Sequence, residues 1–128
     1  MPESVALDSS AVLAVILNEP GGHDIARLLQ GGLLSTVNMA EVHVRLLKRG
    51  VPVDLAWNLI LSADCEICFF SDEQARATAE LIPITKPHGL SLGDRACLAL
   101  AIDRKAKVYT TDRTWKNLSL GIEIEVIR

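Results

Sequence analysis

The sequence predicts an α/β domain built on a mostly parallel sheet. Short apolar runs with strand character alternate with amphipathic helical segments along the chain, which is the pattern of α/β folds. Glycine and proline fall between these segments, where helices and strands end. The 128 residues fit a single domain, residues 1–128, and a domain of this size buries roughly two-thirds of its unfolded surface.

Five strands are expected, at about Val5–Asp8, Leu33–Val37, Glu66–Phe70, Lys107–Thr111 and Ile122–Ile127. The fifth alternates an apolar residue with glutamate, which is typical of a half-exposed edge strand. Helices are expected at Ser10–Leu17, His23–Gln30, Asn38–Lys48, after Pro52, from Ser71 to before Pro83, and at Ser91–Lys105, with a short helical turn at Arg113–Leu118. The stretch Ile84–Leu90 contains Pro87 and Gly89 and is expected to be a loop.

The composition narrows the classes of function. The net charge of −3, from 13 basic and 16 acidic residues, argues against a general nucleic-acid binder, although seven of the bases lie between residues 86 and 116 and could face phosphate. No apolar run reaches the ~18 residues that span a bilayer, and no secretory signal is present, so we expect a cytoplasmic protein. The three cysteines form no disulfide framework and are expected to be free thiols.

Four acids are the candidate site: Asp8, Glu41, Asp94 and Asp112. Asp8 and Asp112 follow apolar strands, whereas Glu41 and Asp94 are expected in the first turns of helices. In a parallel α/β sheet the strand ends and the following helix starts meet at one edge, where such folds bind ligands. Carboxylates gathered there repel each other and need a cation or a raised pKa, so a divalent metal site is the simplest expectation.

Each acid also has a purely structural interpretation. Asp8, Asp94 and Asp112 could cap helices, and Glu41 lies three residues after Asn38 as in a capping box. Neutral capping residues already stand beside three of the four acids, which favours the ligand interpretation. Glu41 and Arg45 are four residues apart, which fits either a helical ion pair or an arginine that lines a substrate path.

The sequence resembles the PIN-domain ribonucleases and, among them, the VapC-type toxins of toxin–antitoxin pairs. Four segments carry the resemblance: Ala6-Leu7-Asp8-Ser9-Ser10-Ala11, Thr36-Val37-Asn38-Met39-Ala40-Glu41-Val42, the helix from Leu90 to Ala101 with Ser91 and Asp94, and Tyr109-Thr110-Thr111-Asp112-Arg113. There are three departures: Gly93 where alanine is common, which costs a little helix stability, Arg95 after the acid, and Thr114 where some members have another acid.

The resemblance implies a three-layer α/β/α sandwich and a metal-dependent endoribonuclease. Asp8 and Asp94 would bind Mg²⁺ or Mn²⁺ directly, and Glu41 and Asp112 through water. Ser9 and Thr110 would orient these carboxylates, and Arg45, Lys86 and Arg113 are candidate RNA contacts. The resemblance also implies a VapB-like antitoxin as partner and a homodimer. The alternatives are a non-catalytic PIN-like scaffold or binding module and a flap-type DNA nuclease, for which the chain shows no helical arch.

Overall fold

The computed structural model describes residues 3–127, which contain a five-stranded sheet. The strands are β1 (Val5–Leu7), β2 (Leu33–Ser35), β3 (Glu66–Cys68), β4 (Lys107–Thr110) and β5 (Ile124–Val126). Their order is β3-β2-β1-β4-β5, and every neighbouring pair is parallel. The α/β expectation is confirmed, and the sheet is parallel throughout its described strands.

Seven α-helices connect and cover the strands within residues 3–127: α1 (Ser9–Ile16), α2 (Gly22–Ile25), α3 (Thr36–Lys48), α4 (Val53–Ser62), α5 (Asp72–Glu80), α6 (Ile82–Thr85) and α7 (Leu92–Arg104). Three short 3₁₀ turns occupy Ala26–Leu28, Lys86–His88 and Arg113–Asn117. Side chains cap several starts. Ser71, for example, accepts a hydrogen bond from the amide of Gln74 at 3.2 Å and begins α5 as the sequence predicts.

Two apolar cores lie on opposite faces of the sheet, as a three-layer α/β/α sandwich requires. Neighbouring strand residues point to opposite faces, so Ala6 belongs to one core and Leu7 to the other. The first core is formed mainly with α7 and includes the buried Trp115, while the second is formed with α1, α3 and α4. The apolar strands are therefore covered on both sides, which explains their lack of polar alternation.

The strand order creates a topological switch point between β1 and β4. From β1 the chain passes to β2 on one side of the sheet, whereas β4 joins β1 on the other side. Connections that leave two adjacent parallel strands in opposite directions open a crevice beyond their carboxyl ends. Asp8 directly follows β1, and Asp112 lies two residues beyond the end of β4, so both acids are placed at this crevice.

Several element boundaries differ from the sequence prediction, and the end of β2 and the segment before α7 differ in kind. Strand β2 ends at Ser35 rather than Val37 because the Ser35 hydroxyl caps α3, accepting a hydrogen bond from the amide of Val37 at 3.2 Å. Glu41 therefore lies in the second turn of α3, not the first. The stretch expected to be a loop, Ile84–Leu90, instead contains the end of α6 and a 3₁₀ turn, because Pro83 and Pro87 each occupy a first-turn position that needs no amide donor.

Within residues 3–127, none of the helices has both the length and the apolar character needed to cross a bilayer.

Candidate active site

Asp8 is the most deeply buried acid at the switch point, with 3% of its surface exposed. Its Oδ1 caps α1 by accepting from the amide of Ala11 at 2.9 Å, and it also accepts from the Ser10 hydroxyl at 2.6 Å. Its Oδ2 accepts from the Thr110 hydroxyl at 2.7 Å. Burial nevertheless raises the pKa of Asp8 from 3.8 to about 6, and the nearby charge of Asp94 adds to the rise.

Asp94 is held by a capping box at the start of α7. Its Oδ2 accepts from the amide of Ser91 at 2.9 Å, while its own amide donates to the Ser91 hydroxyl at 3.2 Å. Burial raises the pKa of Asp94, and the charges of Glu41 and Asp112 contribute in the same direction. The carboxylates are therefore close enough to oppose one another's ionisation.

Asp112 caps the 3₁₀ turn that follows β4. Its Oδ1 accepts from the amide and the hydroxyl of Thr114, at 2.9 and 2.8 Å. The amide of Asp112 donates to Thr110 Oγ1 at 3.1 Å, and that same hydroxyl donates to Asp8. Thr110 thus links the ends of β1 and β4, so the position of one acid depends on the position of the other.

Glu41 reaches the same end of the sheet from α3. The side-chain nitrogen of Asn38, Nδ2, donates to Glu41 Oε1 at 3.0 Å and to the backbone carbonyl oxygen of Gly93 at 3.0 Å. The Glu41 carboxylate lies against Gly93, the residue immediately before Asp94. None of the ion pairs formed within residues 3–127 joins Glu41 to Arg45, so the structure does not show the helical ion pair.

A cavity of about 680 Å³ gathers most of these groups. Three of the four predicted acids line it, Asp8, Asp94 and Asp112, and Glu41 is not among the lining residues. Two of the predicted RNA contacts, Arg45 and Arg113, line it as well, together with Ser9, Ser10, Ser91 and Thr111. The cavity therefore combines acids near the switch point with two arginines, an arrangement that suits a phosphate group beside a cation.

Two predicted residues lie differently from the expectation. Ser10, not Ser9, donates to Asp8, because Ser10 is two residues beyond the acid at the start of α1 and its hydroxyl faces Thr110. The Ser9 side chain makes no hydrogen bond to an acid within residues 3–127. Lys86 is exposed on the 3₁₀ turn that precedes α7, and it does not line the cavity.

The residues that the sequence reasoning did not select are Ser10, Asn38 and Gly93. Ser10 was visible as part of the Asp8-Ser9-Ser10 segment, and Asn38 as the residue three positions before Glu41 on the same helix face. From the sequence, Gly93 is only a helix-weakening departure, because nothing in the sequence places it against the Glu41 side chain. Arg95, another departure, does not line the cavity and donates to the carbonyl of Thr78 at 3.1 Å.

The donor set suits a hard divalent cation, which prefers oxygen ligands. Among the described residues, no three acidic, histidine or cysteine side chains converge as the ligands of one ion. Mg²⁺ is usually held through only one or two carboxylates and several waters, so a cage of three is not required. Asp8 and Asp94, both with raised pKa values, fit such an ion by their chemistry.

Fold and site together define a parallel α/β protein with a carboxylate cavity at its switch point. The chain belongs to the PIN domain family, whose model matches residues 5–120. PIN domains are generally nucleases. No curated protein matches the sequence.

Several solved structures share the fold. A chain of DNA-bound VapBC from Salmonella typhimurium superimposes with a TM-score of 0.77 at 17% identity, over 99% of this chain and 100% of that one. A chain of VapBC2 from Rickettsia felis, in a complex with a DNA fragment from the promoter, gives a TM-score of 0.73 at 17% identity, over 97% of this chain and 98% of that one. PAE2754 from Pyrobaculum aerophilum gives a TM-score of 0.66 at 14% identity, over 95% of this chain and 83% of that one. These likenesses confirm the predicted PIN-like fold.

Proposed function

We propose that this chain is a metal-dependent endoribonuclease that acts, as a single PIN-like domain, as the toxin of a toxin–antitoxin pair. The observation that carries the proposal is the cavity in which Asp8, Asp94 and Asp112 meet Arg45 and Arg113. Membership of the PIN domain family supports a nuclease, and the solved VapBC structures with the same fold support the toxin role.

The acids are assigned to Mg²⁺ or Mn²⁺. Asp8 and Asp94 would hold the ion directly, and Glu41 and Asp112 would act through water. Such an ion, when bound, would supply a water of lowered pKa and a charge that polarises a phosphodiester. The remaining work falls to the protein: Ser10 and Thr110 fix both oxygens of Asp8, and Ser91 fixes one oxygen of Asp94, so neither carboxylate has to reorganise when substrate arrives.

The arginines are assigned to the RNA backbone. Arg45 is exposed on α3 and Arg113 is exposed after β4, and both line the cavity that the acids occupy. A guanidinium group binds phosphate through two parallel hydrogen bonds, so these side chains can hold the phosphates that flank the cleaved bond. The overall charge of −3 then restricts nucleic-acid binding to this local site.

The partners are proposed on two grounds. Chains of the same fold occur in complexes described as VapBC, which supports a VapB-like antitoxin. Exposed apolar side chains on α3 and α4 offer a protein-binding surface: Val44, Leu47, Leu55, Trp57 and Leu61. A homodimer and a cytoplasmic location complete the proposal.

The decisive experiment compares RNA cleavage by the wild-type protein, Asp94→Asn and Asp103→Asn. Asp103 is exposed on α7 and lies outside the cavity, so its variant controls for the loss of one charge on the same helix. We expect cleavage with Mg²⁺ or Mn²⁺, none with chelator, none by Asp94→Asn and full activity in the control. Wild-type cleavage by purified, folded Asp94→Asn would overturn the assignment of this acid.

The rival function is a non-catalytic PIN-like scaffold. It predicts no cleavage by the wild-type protein and only weak binding when Mn²⁺ is titrated in a calorimeter. The proposal predicts both cleavage and a saturable Mn²⁺ isotherm that disappears in Asp94→Asn. Co-expression with a small neighbouring antitoxin gene tests the toxin role separately, since toxicity should be relieved by that neighbour.

A further inference from the structure

Gly93 leaves a space that the carboxylate of Glu41 fills. A Cβ atom built on Gly93 would overlap Oε1, Oε2 and Cδ of Glu41. Gly93 is not among the glycines with a positive φ, so its helical backbone would accept alanine without strain. Glycine is a poorer helix former than alanine, and the backbone conformation does not require glycine at this position. The absence of a side chain at Gly93 instead makes room for the Glu41 carboxylate.

Asn38 fixes the carboxylate in that space. Its side chain is buried, with 1% of the residue exposed, and its amide nitrogen donates both to Glu41 Oε1 and to the carbonyl oxygen of Gly93, each at 3.0 Å. Both partners are acceptors, so the orientation of the Asn38 amide is determined by them. One side chain therefore ties the acid on α3 to the start of α7, directly before Asp94.

We propose that Gly93 and Asn38 are positioning residues that hold the Glu41 carboxylate next to Asp94. Gly93 provides the room and Asn38 provides the hydrogen bond that prevents the side chain from leaving. We call this pair with Glu41 the Glu41 clamp. Its consequence for RNA cleavage rests on the proposed function, whereas the clamp itself is a property of the folded protein and is tested separately.

The first test is a thermal-denaturation cycle in chelator, with Gly93→Ala, Glu41→Ala and the double variant. In the Glu41→Ala background the new methyl group meets no carboxylate and strengthens the helix, so Gly93→Ala should raise the melting temperature. In the wild-type background the same change must displace Glu41 and break its hydrogen bond with Asn38, so the rise should be lost or reversed. Equal shifts in both backgrounds would overturn the clamp.

The second test measures Mn²⁺ affinity by calorimetry and steady-state RNA cleavage. Groups that orient metal ligands typically contribute about 10–100-fold in affinity or activity, and we expect a loss of this size for Gly93→Ala and Asn38→Ala. The loss should fall on kcat and not on the KM for RNA, and neither change should add to the loss caused by Glu41→Ala. Asn58→Ala is the matched control, since Asn58 is exposed on α4.

The two proposals fail in different ways. If the wild-type protein cleaves RNA but Gly93→Ala and Asn38→Ala bind Mn²⁺ and turn over like the wild type, the positioning role is overturned and the nuclease stands. If the wild-type protein neither cleaves RNA nor binds Mn²⁺, the nuclease is overturned, and the melting-temperature cycle still decides whether the clamp exists. A purely structural contact would change stability without the split between kcat and KM.

Discussion

Replacing Asp8 with asparagine should stabilise the metal-free protein at neutral pH. Asp8 is buried with a pKa raised from 3.8 to about 6, so its ionised form is disfavoured in the folded state. When the pKa of a carboxyl group is higher in the folded state than in the unfolded state, the protein is most stable at low pH, where the group is protonated in both states. This stability is lost as the pH rises through the pKa of the folded state. Stability of the wild-type protein in chelator should therefore fall between pH 5 and pH 7.5.

The size of the effect follows from the two pKa values. With a pKa of about 6 folded and 3.8 unfolded, Asp8 destabilises the fold by about 3 kcal/mol at pH 7.5, relative to a protonated carboxyl group, and by roughly half as much at pH 5. The wild-type protein should thus lose roughly 1 kcal/mol over this range through Asp8 alone. The asparagine side-chain oxygen can still accept from the Ala11 amide and the Ser10 hydroxyl. The Thr110 hydroxyl, which donates to Asp8 Oδ2 in the wild type, must rotate so that it accepts from the asparagine NH₂ group. We therefore expect a net gain of about 1–3 kcal/mol at pH 7.5.

Urea denaturation with chelator at both pH values measures these quantities. Asp103→Asn is the control, because it removes one charge from an exposed site. The variant at Asp8 should gain stability at pH 7.5 and lose most of the wild-type difference between the two pH values, whereas the control should retain that difference. If Asp8→Asn is less stable than the wild type at pH 7.5, or shows the same pH difference, the burial of an ionised acid is not the dominant energy at this site.

Three further variants separate packing, substrate contact and capping. Leu98→Ala should lower the free energy of unfolding by roughly 2–5 kcal/mol in urea denaturation, since Leu98 is completely buried, and a loss below about 1 kcal/mol would contradict its place in the core. Arg113→Ala should raise the KM for RNA several-fold and weaken its salt dependence, whereas Lys116→Ala, exposed and outside the cavity, should change neither in the same assays. Asp112→Ser should keep the hydrogen bond from the Thr114 amide and change the melting temperature little. It should weaken Mn²⁺ binding in calorimetry about 10-fold, and unchanged binding would show that Asp112 does not take part in holding the ion.

The fold was accessible from the sequence because its signals are local. Apolar strands covered on both faces, caps such as Ser71 and Ser91, and prolines at helix starts each depend on a few neighbouring residues. The errors occurred where the same short segment suits two kinds of structure. The end of β2 could not be placed, since Val37 and Asn38 suit a strand or a helix and only the Ser35 cap selects the helix.

The site was accessible only in part, because its contacts join residues that are far apart in the sequence. Residue types and their positions at strand ends predicted the acids, and three of them line one cavity. The partners of those acids could not be predicted, because Thr110 and Asp8 are 102 residues apart and Asn38 and Gly93 are 55 apart. Spacing along the chain cannot choose between Ser9 and Ser10, since that choice depends on which hydroxyl faces β4.

Capping by these acids does not exclude the metal binding proposed for them. Asp8, Asp94 and Asp112 each cap a helix or turn with one oxygen, as the structural interpretation of the sequence requires. A carboxylate has a second oxygen that serine lacks, and for Asp94 Oδ1 and Asp112 Oδ2 no protein donor occupies it among residues 3–127. Capping fixes the first oxygen to a rigid backbone and thereby fixes the second one too. At Asp112, where serine would also cap, the acid therefore adds a fixed oxygen that is open to a ligand, which is what the proposed metal site requires.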